Sequence, residues 1–334
     1  MTRDPVEERR LLAALRGGDE SAFDALVEPY RRELHAHCYR MLASLHESED
    51  ALQETLLRAW RGLPRFEGRS SLRTWLHTIA TNTCLRAVER RPPRTVPFDV
   101  TGEAELGETP GRPIVESVWV QPFPDRYLAD PAASAELRET VELAFVAALQ
   151  HLPPLQRAAL VLREVLDFSA AETATALATT VPAVNSALQR ARRTVDEKLP
   201  GPSQQTALAE LGDRQVEALV TRYMAAMAAG AVDDVVELLV EDATWSMPPL
   251  STWSRGHEAI RVFLRDHPLS QRWRHAPTWV NGQPSSLSYM LDDDGVFRLH
   301  AVDVLSIRAG KIAAVDAFLD PAVFPHLGVP LELR

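Results

Sequence analysis

Residues 169–195 constrain this chain more than any other stretch. Ser169 and Glu172 have the capping-box spacing, in which each side chain satisfies a backbone N–H at a helix start. Thr173, Ala174 and Leu177 then give a short helix with an inner face of small side chains. After a tight turn, Val184, Leu188, Ala191 and Val195 recur at i, i+4, i+7 and i+11, a single apolar stripe on a second helix. Asn185, Ser186, Gln189, Arg190, Arg192 and Arg193 cover the rest of it. A helix that is apolar behind and carries amides, a hydroxyl and guanidinium groups in front suits a DNA major groove. An ordinary amphipathic helix with a solvated basic end would show the same pattern.

At 334 residues the chain exceeds one typical domain, and two or three are expected. A 46% hydrophobic content is ample for packed cores. No apolar run reaches membrane-spanning length and the N-terminus is charged, so a cytoplasmic protein with no membrane partner is expected. Cys38 and Cys84 lack metal-ligand spacing and read as small buried hydrophobes rather than a disulfide. No metal or cofactor is expected. The net charge of −10 argues against a generally basic coat, yet Arg61, Arg65, Arg69, Arg73, Arg86, Arg90, Arg91 and Arg94 face only Glu67 and Glu89 over their stretch. An acidic protein with local basic faces suits selective contact with nucleic acid, because phosphate attraction stays low elsewhere.

From Val6 to about Arg91 every strong pattern is helical. Phe23, Leu26, Val27, Tyr30, Leu34, Cys38, Met41 and Leu42 mark one long helix, which Pro29 is expected to bend or break. A second helix runs from about Glu47 to Gly62, with Leu52, Leu56, Ala59 and Trp60 inward. Its outer face carries Glu49, Asp50, Gln53, Glu54 and Arg58. A third, Ser71 to about Arg90, has a core stripe of Leu72, Leu76, Ile79, Thr83 and Ala87. Its expected exposed side holds Thr74, Thr78, Thr81 and Asn82, with Arg73, Arg86 and Arg90 at the margins. Hydroxyls and amides can bond bases while arginines hold phosphates, although plain solvation would also account for them. Residues 92–134 are proline-rich and mostly acidic, a linker whose Trp119, Phe123 and Tyr127 are too apolar for a free tether. Helix resumes at about Glu136, and Pro200-Gly-Pro202 closes that part.

Beyond Leu211 three helices are expected, around Val216–Met227, Val235–Val240 and Ile260–Leu264. Strand-like runs follow at 273–280, 286–291, 296–307 and 312–319, with turns at Asp292–Gly295 and Ala309–Gly310. Helices first and antiparallel strands after give an α+β domain with a curved sheet. His300, Asp303 and Asp316 are the candidates for chemistry; Asp303 shares a face with Leu299, Ala301, Leu305 and Ile307, and Asp316 with Ile312, Ala314 and Phe318. A carboxylate among such neighbours has a raised pKa and can act as a base, or it can simply bond within the sheet. Trp245, Trp253, Tyr289 and His300 are the other candidates for the lining of a cavity.

The stretches Ser48-Glu-Asp-Ala-Leu-Gln-Glu-Thr-Leu-Leu-Arg-Ala59, Ser71-Leu-Arg-Thr-Trp-Leu-His-Thr-Ile-Ala-Thr-Asn-Thr-Cys-Leu85 and Val184-Asn-Ser-Ala-Leu-Gln-Arg-Ala-Arg192 resemble, in order, three signatures of bacterial sigma-70 factors of the extracytoplasmic-function (ECF) group. The resemblance covers about residues 8–199. It implies two all-α sigma domains, region 2 at 8–94 and region 4 with its helix-turn-helix at 135–200, joined by a linker at 95–134. It implies that Asp50, Gln53, Glu54 and Arg58 bind the clamp helices of the largest subunit of core RNA polymerase, while region 4 meets the flap of the second-largest. Phe66, Arg69, Ser70, Arg73, Thr78, Asn82 and Arg86 would take the −10 element, with a flipped base held near Phe66–Ser70. Asn185, Ser186, Gln189, Arg190 and Arg193 would take the −35 element of promoter DNA. Residues 211–328 resemble cone-shaped SnoaL-like domains of the nuclear-transport-factor-2-like superfamily, and the tail as a whole is similar to a subgroup of sigma factors carrying such a domain. Trp245, Tyr289, His300, Asp303 and Asp316 are the cavity candidates. The tail reads as a regulator of the sigma domains with a small-molecule ligand, not an enzyme. The rival readings are a fused acid–base enzyme and an operator-binding factor that works without polymerase.

Overall fold

A computed structural model describes residues 5–111, 113, 119–128, 138–199 and 201–334. Asp130, Pro131, the expected helix start at Glu136, and Pro200 lie outside the described residues. The chain forms two compact units. The first takes the described residues within Met1–Pro93, Tyr127–Ala133 and Ala148–Leu199. The second takes those within Arg94–Arg126, Ser134–Ala147 and Pro200–Arg334.

The first unit is all helical. Helices α1 (Pro5–Arg16), α2 (Ser21–Leu42), α3 (Leu45–Gly62) and α4 (Leu72–Val88) share one core through Leu26, Leu34, Leu52, Leu72 and Leu76. Ser44 caps α3 by accepting the Glu47 N–H, and Ser71 caps α4 by accepting the Thr74 N–H at 3.0 Å. Helix α2 continues past Pro29 without a break, because residues on both sides of it, from Phe23 to Leu42, are buried against that core. Helix α5 (Leu143–Gln150) belongs to the second unit as far as Ala147 and to the first from Ala148; it precedes α6 (Pro154–Leu160), whose last turn widens to a π-turn at Val161–Val165. Then come α7 (Ala170–Ala176) and α8 (Val181–Lys198). The capping box forms as the spacing requires, with Ser169 and Glu172 exchanging bonds at 2.9 and 3.1 Å.

Thr81 is the exception on α4. Expected on the exposed side, it is fully buried, donates to the His77 carbonyl at 2.7 Å and lies 2.9 Å from His37 Nε2. Ala80 and Cys84 also enter the core, so α4 buries more than one face.

Arg157 fastens α6 to α2. It is 2% exposed, and its guanidinium donates to the Met41 carbonyl, to Gln150 Oε1 (2.6 Å) and to the carbonyls of Gln150 (3.3 Å) and Leu152 (3.4 Å). Burial pulls its pKa down to about 10, so it stays charged at neutral pH.

The second unit is α+β. Helices α9 (Gln204–Leu211), α10 (Asp213–Ala229), α11 (Val232–Glu237) and α12 (Gly256–Asp266) accompany a mixed sheet. Its strands are β1 (Leu239–Ser246), β2 (Trp253–Arg255), β3 (Trp273–Val280), β4 (Gln283–Leu291), β5 (Phe297–Arg308) and β6 (Lys311–Phe318), in the order β2-β1-β6-β5-β4-β3. The short β7 (Glu332–Leu333) pairs with β5. Strand β1 runs parallel to β6, and the other pairs are antiparallel. The sequence reading missed β1, β2 and α9, and it assigned Leu239 and Val240 to a helix. Opposite the Ser288/Tyr289 pair, β5 carries one extra residue, His300: Ser288 faces Ala301 while Tyr289 faces Leu299. That bulge ends the alternation that had grouped Leu299 with Ala301 and Asp303.

Replacing Arg157 by Met should strip donors from four buried oxygens. The urea midpoint of the first unit is expected to fall by the equivalent of about 2–4 kcal/mol, with the second unit's transition unmoved.

Candidate functional site

Three exposed faces and one cavity carry the sequence candidates. On α3, Asp50 and Gln53 are exposed, and Arg58 Nε reaches Glu54 Oε1 at 2.6 Å. Leu57 lies among them at 52% exposure, an apolar side chain on a charged face. Amphipathic helices with an exposed leucine among acids suit a protein partner better than a phosphate backbone.

The −10 candidates do not share one fate. Phe66 is buried against Trp75 with ring centroids 5.2 Å apart, whereas Arg69 lies in the open beside Glu67, at 2.5 Å. Ser70 is half-buried at the end of that loop, and Arg86 is exposed. Arg73 binds Glu33 through Nε at 3.0 Å and donates through Nη1 to the Leu166 carbonyl at 3.0 Å. That guanidinium holds the Glu33 carboxyl below its usual range against the opposing effect of burial. Thr74 donates to Glu172 at 3.2 Å, and Thr78 donates back to the Thr74 carbonyl at 2.8 Å. Asn82 Nδ2 donates to the carbonyls of Thr78 (2.8 Å) and Ala176 (3.2 Å). Three polar side chains of α4 are therefore engaged with α7 and the turn before it.

On α8 the candidates Asn185, Ser186, Gln189, Arg190 and Arg193 are all exposed, while Val184, Leu188 and Ala191 are buried behind them. Arg193 is 3.7 Å from Glu197, and Arg192 pairs with Glu164. A shallow groove along this face takes in Asn185, Gln189 and Arg193. Thr180 caps α8 through the Ala183 N–H, which leaves this first turn pointing outward.

The cavity lies in the second unit and encloses about 370 Å³. Trp245, Met247, Trp273, Met290 and Leu319 supply apolar walls, and Asp303, His275 and His300 supply the polar part. Ser288 Oγ donates to Asp303 Oδ2 at 2.8 Å, and the Tyr223 hydroxyl donates to the same oxygen at 3.1 Å. Burial pushes the Asp303 carboxyl up to about 6, against the pull of these two bonds. His275 Nδ1 is 3.1 Å from Ser288 Oγ. Ser286 Oγ lies 3.2 Å from the same nitrogen, so Nδ1 is engaged by two hydroxyls. Burial holds His275 at about 4, hence neutral, and Nε2 is sealed from solvent without a hydrogen-bond partner. A buried polar atom left so costs about 1–3 kcal/mol. His300 packs edge-on to Trp273 at 5.7 Å, brought there by the bulge.

Two cavity candidates are elsewhere. Tyr289 donates its hydroxyl to the Pro330 carbonyl at 2.8 Å, and Asp316 accepts from Ser246 Oγ at 2.6 Å across the β1–β6 pair. Neither lines the cavity, and Trp253 lies outside it too. His275, Ser288, Tyr223 and Trp273 were missed, although Trp273 and His275 share a face with Ser286 and Ser288 by strand alternation.

Residues 26–92 match the model of Sigma-70 region 2, residues 142–195 that of Sigma-70, region 4, and residues 220–315 that of the SnoaL-like domain. The chain is 44% identical to the ECF RNA polymerase sigma factor SigG of Mycobacterium tuberculosis, over 99% of this chain and 87% of the relative. The chain belongs to the ECF sigma factors. It is also similar to the RNA polymerase sigma-H factor of Pseudomonas aeruginosa, 34% identical over 58% of this chain and 94% of that one. In fold it is similar to the crystal structure of the M. tuberculosis ECF sigma factor SigJ, with a TM-score of 0.58 at 23% identity, covering 92% of this chain and 99% of the other. Sigma factors are non-enzymatic initiation factors that bind core RNA polymerase and promoter DNA. In this sigma factor, α2 to α4 lie in region 2, α5 to α8 in region 4, and the cavity belongs to the SnoaL-like domain. No described helix is long and apolar enough to cross a membrane.

The Asp303 carboxyl is raised from 3.8 to about 6, so the folded chain holds this proton more tightly than the unfolded chain does. Its contribution to stability is present at low pH and is lost as pH rises through about 6. Asp303→Asn carries no charge to desolvate. Its gain in melting temperature over the parent should be largest near pH 8, up to the equivalent of about 3 kcal/mol, and shrink toward pH 5. Thermal melts of both chains across that range measure it.

Proposed function

We propose that this sigma factor acts in the cytoplasm as a promoter-specificity subunit whose SnoaL-like domain regulates it through a small-molecule ligand. Asp50, Gln53, Glu54 and Arg58, with Leu57 among them, meet the clamp helices of the largest polymerase subunit, and region 4 meets the flap of the second-largest. Asn185, Ser186, Gln189, Arg190 and Arg193 take the −35 element, amides on base edges and arginines on guanines or phosphates. Arg69, Ser70, Arg73, Thr78, Asn82 and Arg86 take the −10 strand, with Phe66 as a packed floor beneath the loop. The observation that carries the DNA reading is the α8 face, where all five candidates are exposed above a buried apolar stripe. Because Arg73, Thr74 and Asn82 hold the α7 segment, −10 contact requires α4 and α7 to part.

The regulatory reading rests on the domain's place on the same chain and on its cavity, with the Asp303 carboxylate in its wall. A fused acid–base enzyme is the weaker alternative. It would need a free donor beside the base, and the two hydroxyls nearest Asp303, those of Ser288 and Tyr223, are bound to that carboxylate itself.

Gln189→Ala and Arg190→Ala are each expected to lower transcription from a −35-dependent promoter by about tenfold or more, while co-purification with core polymerase is unchanged. Ending the chain after about residue 205 should change promoter-specific output in reconstituted transcription. Equal output from both chains would remove the regulatory reading and leave the sigma activity standing.

A further inference from the structure

The loop between β1 and β2 has two tasks. Met247 and Leu250 line the cavity. The residues that follow them hold the proline-rich strap, the segment that separates regions 2 and 4 in sequence. Thr101 Oγ1 donates to the Ser251 carbonyl at 2.6 Å, and Trp253 Nε1 donates to the Thr101 carbonyl at 3.1 Å. The Ala104 N–H donates to the Trp253 carbonyl at 2.9 Å, and the Gly111 N–H to Thr252 Oγ1 at 3.0 Å. Phe98 meets Trp253 edge-on. Pro110, one residue before the last of these bonds, forms part of the cavity wall itself. A ligand in the cavity therefore touches the strap.

The lining limits what that ligand can be. Its volume fits a two- or three-ring molecule, and its surface is mostly indole, thioether and aliphatic carbon. Its polar end offers the Asp303 carboxylate as an acceptor, beside the neutral imidazole of His275. Among the described lining residues the charged groups are Asp303 and Asp266, so an anion finds repulsion and no counter-charge.

We propose that the cavity binds a small, un-ionised, ring-bearing molecule carrying a hydroxyl donor, and that its occupancy fastens the strap to the SnoaL-like domain. This rests on the regulatory reading and names its ligand class and the element that responds. A molecule in contact with Pro110 binds the strap-docked state better than the undocked one. By reciprocity it stabilises docking by the same factor.

The test uses the full-length chain and three probes of one size: 2-naphthol, its methyl ether and 2-naphthoate. Binding is read by quenching of tryptophan fluorescence near neutral pH. 2-Naphthol is expected to bind saturably and about tenfold tighter than the ether or the carboxylate, and Asp303→Asn should close most of the gap to the ether. Cleavage after Glu103, Glu105 and Glu108 by a glutamate-specific protease reads the strap. Saturating 2-naphthol should slow it about threefold or more. Thr252→Val should speed it and weaken 2-naphthol binding. No saturable binding, or equal binding of all three probes, overturns the ligand class. Saturable binding with unchanged cleavage overturns the coupling. Neither result depends on polymerase, so failure here is distinct from failure of the truncation assay.

Discussion

The second unit is organised around one tight turn, Asn281–Gly282, between β3 and β4. Both residues have positive φ, 57° and 66°, as a two-residue hairpin of this hand requires. The Asn281 side chain accepts the Phe123 N–H at 2.7 Å and donates to the Val141 carbonyl at 2.6 Å, while its own N–H donates to the Phe123 carbonyl at 2.8 Å. The Gly282 N–H goes to Asp125 Oδ1 at 2.8 Å, and Gln283 Oε1 accepts the Leu143 N–H at 3.0 Å. Three consecutive residues thus grip both the end of the strap and the entry to α5. A Cβ at Gly282 would sit 3.1 Å from Arg138 Cβ and 3.2 Å from its carbonyl, so the turn is closed to larger residues twice over, by φ and by space.

The described residues of the strap are held at several points by backbone groups rather than by one patch. Arg94 donates to the Trp119 carbonyl at 2.8 Å and the Val120 N–H to the Thr95 carbonyl at 3.0 Å, closing the strap on itself. Trp119 and Phe123 are buried, as their size demands. Glu142, just before α5, accepts the backbone N–H groups of Gln204 and Gln205 at the start of α9. Burial nevertheless pushes its carboxyl up to about 7. Acids at such junctions bind the chain to itself through backbone donors, which compete with water on better terms than exposed ion pairs do.

Much of this was legible because period and capping are local. The apolar stripes of α2, α3, α8 and α10, the capping box at Ser169, and strands β3 to β6 each announce themselves within a dozen residues. What failed was non-local. Thr81 looks like a surface threonine until His37 of α2 is placed beside it. Leu239 and Val240 continue an apolar run from α11, and only pairing with β6 makes them a strand. In the cavity, Asp303 was legible from alternation, and Trp245 was named without its strand. Tyr289 and Asp316 were misplaced because alternation tells two faces apart without telling which one encloses space. His300 lines the cavity through a bulge that no spacing signals.

The contacts between α4 and α7 carry a further consequence. Arg73 commits three of its five N–H groups to Glu33 and the Leu166 carbonyl, and Asn82 commits both amide protons to the carbonyls of Thr78 and Ala176. On the −10 assignment proposed above, a free chain in this arrangement meets the bulk of a chromosome with its reading helix muted. What remains open to DNA is the exposed face of α8, on a molecule of net charge −10. Rejection of irrelevant sequence at the −10 position then begins before any base there is inspected, in the resting fold itself.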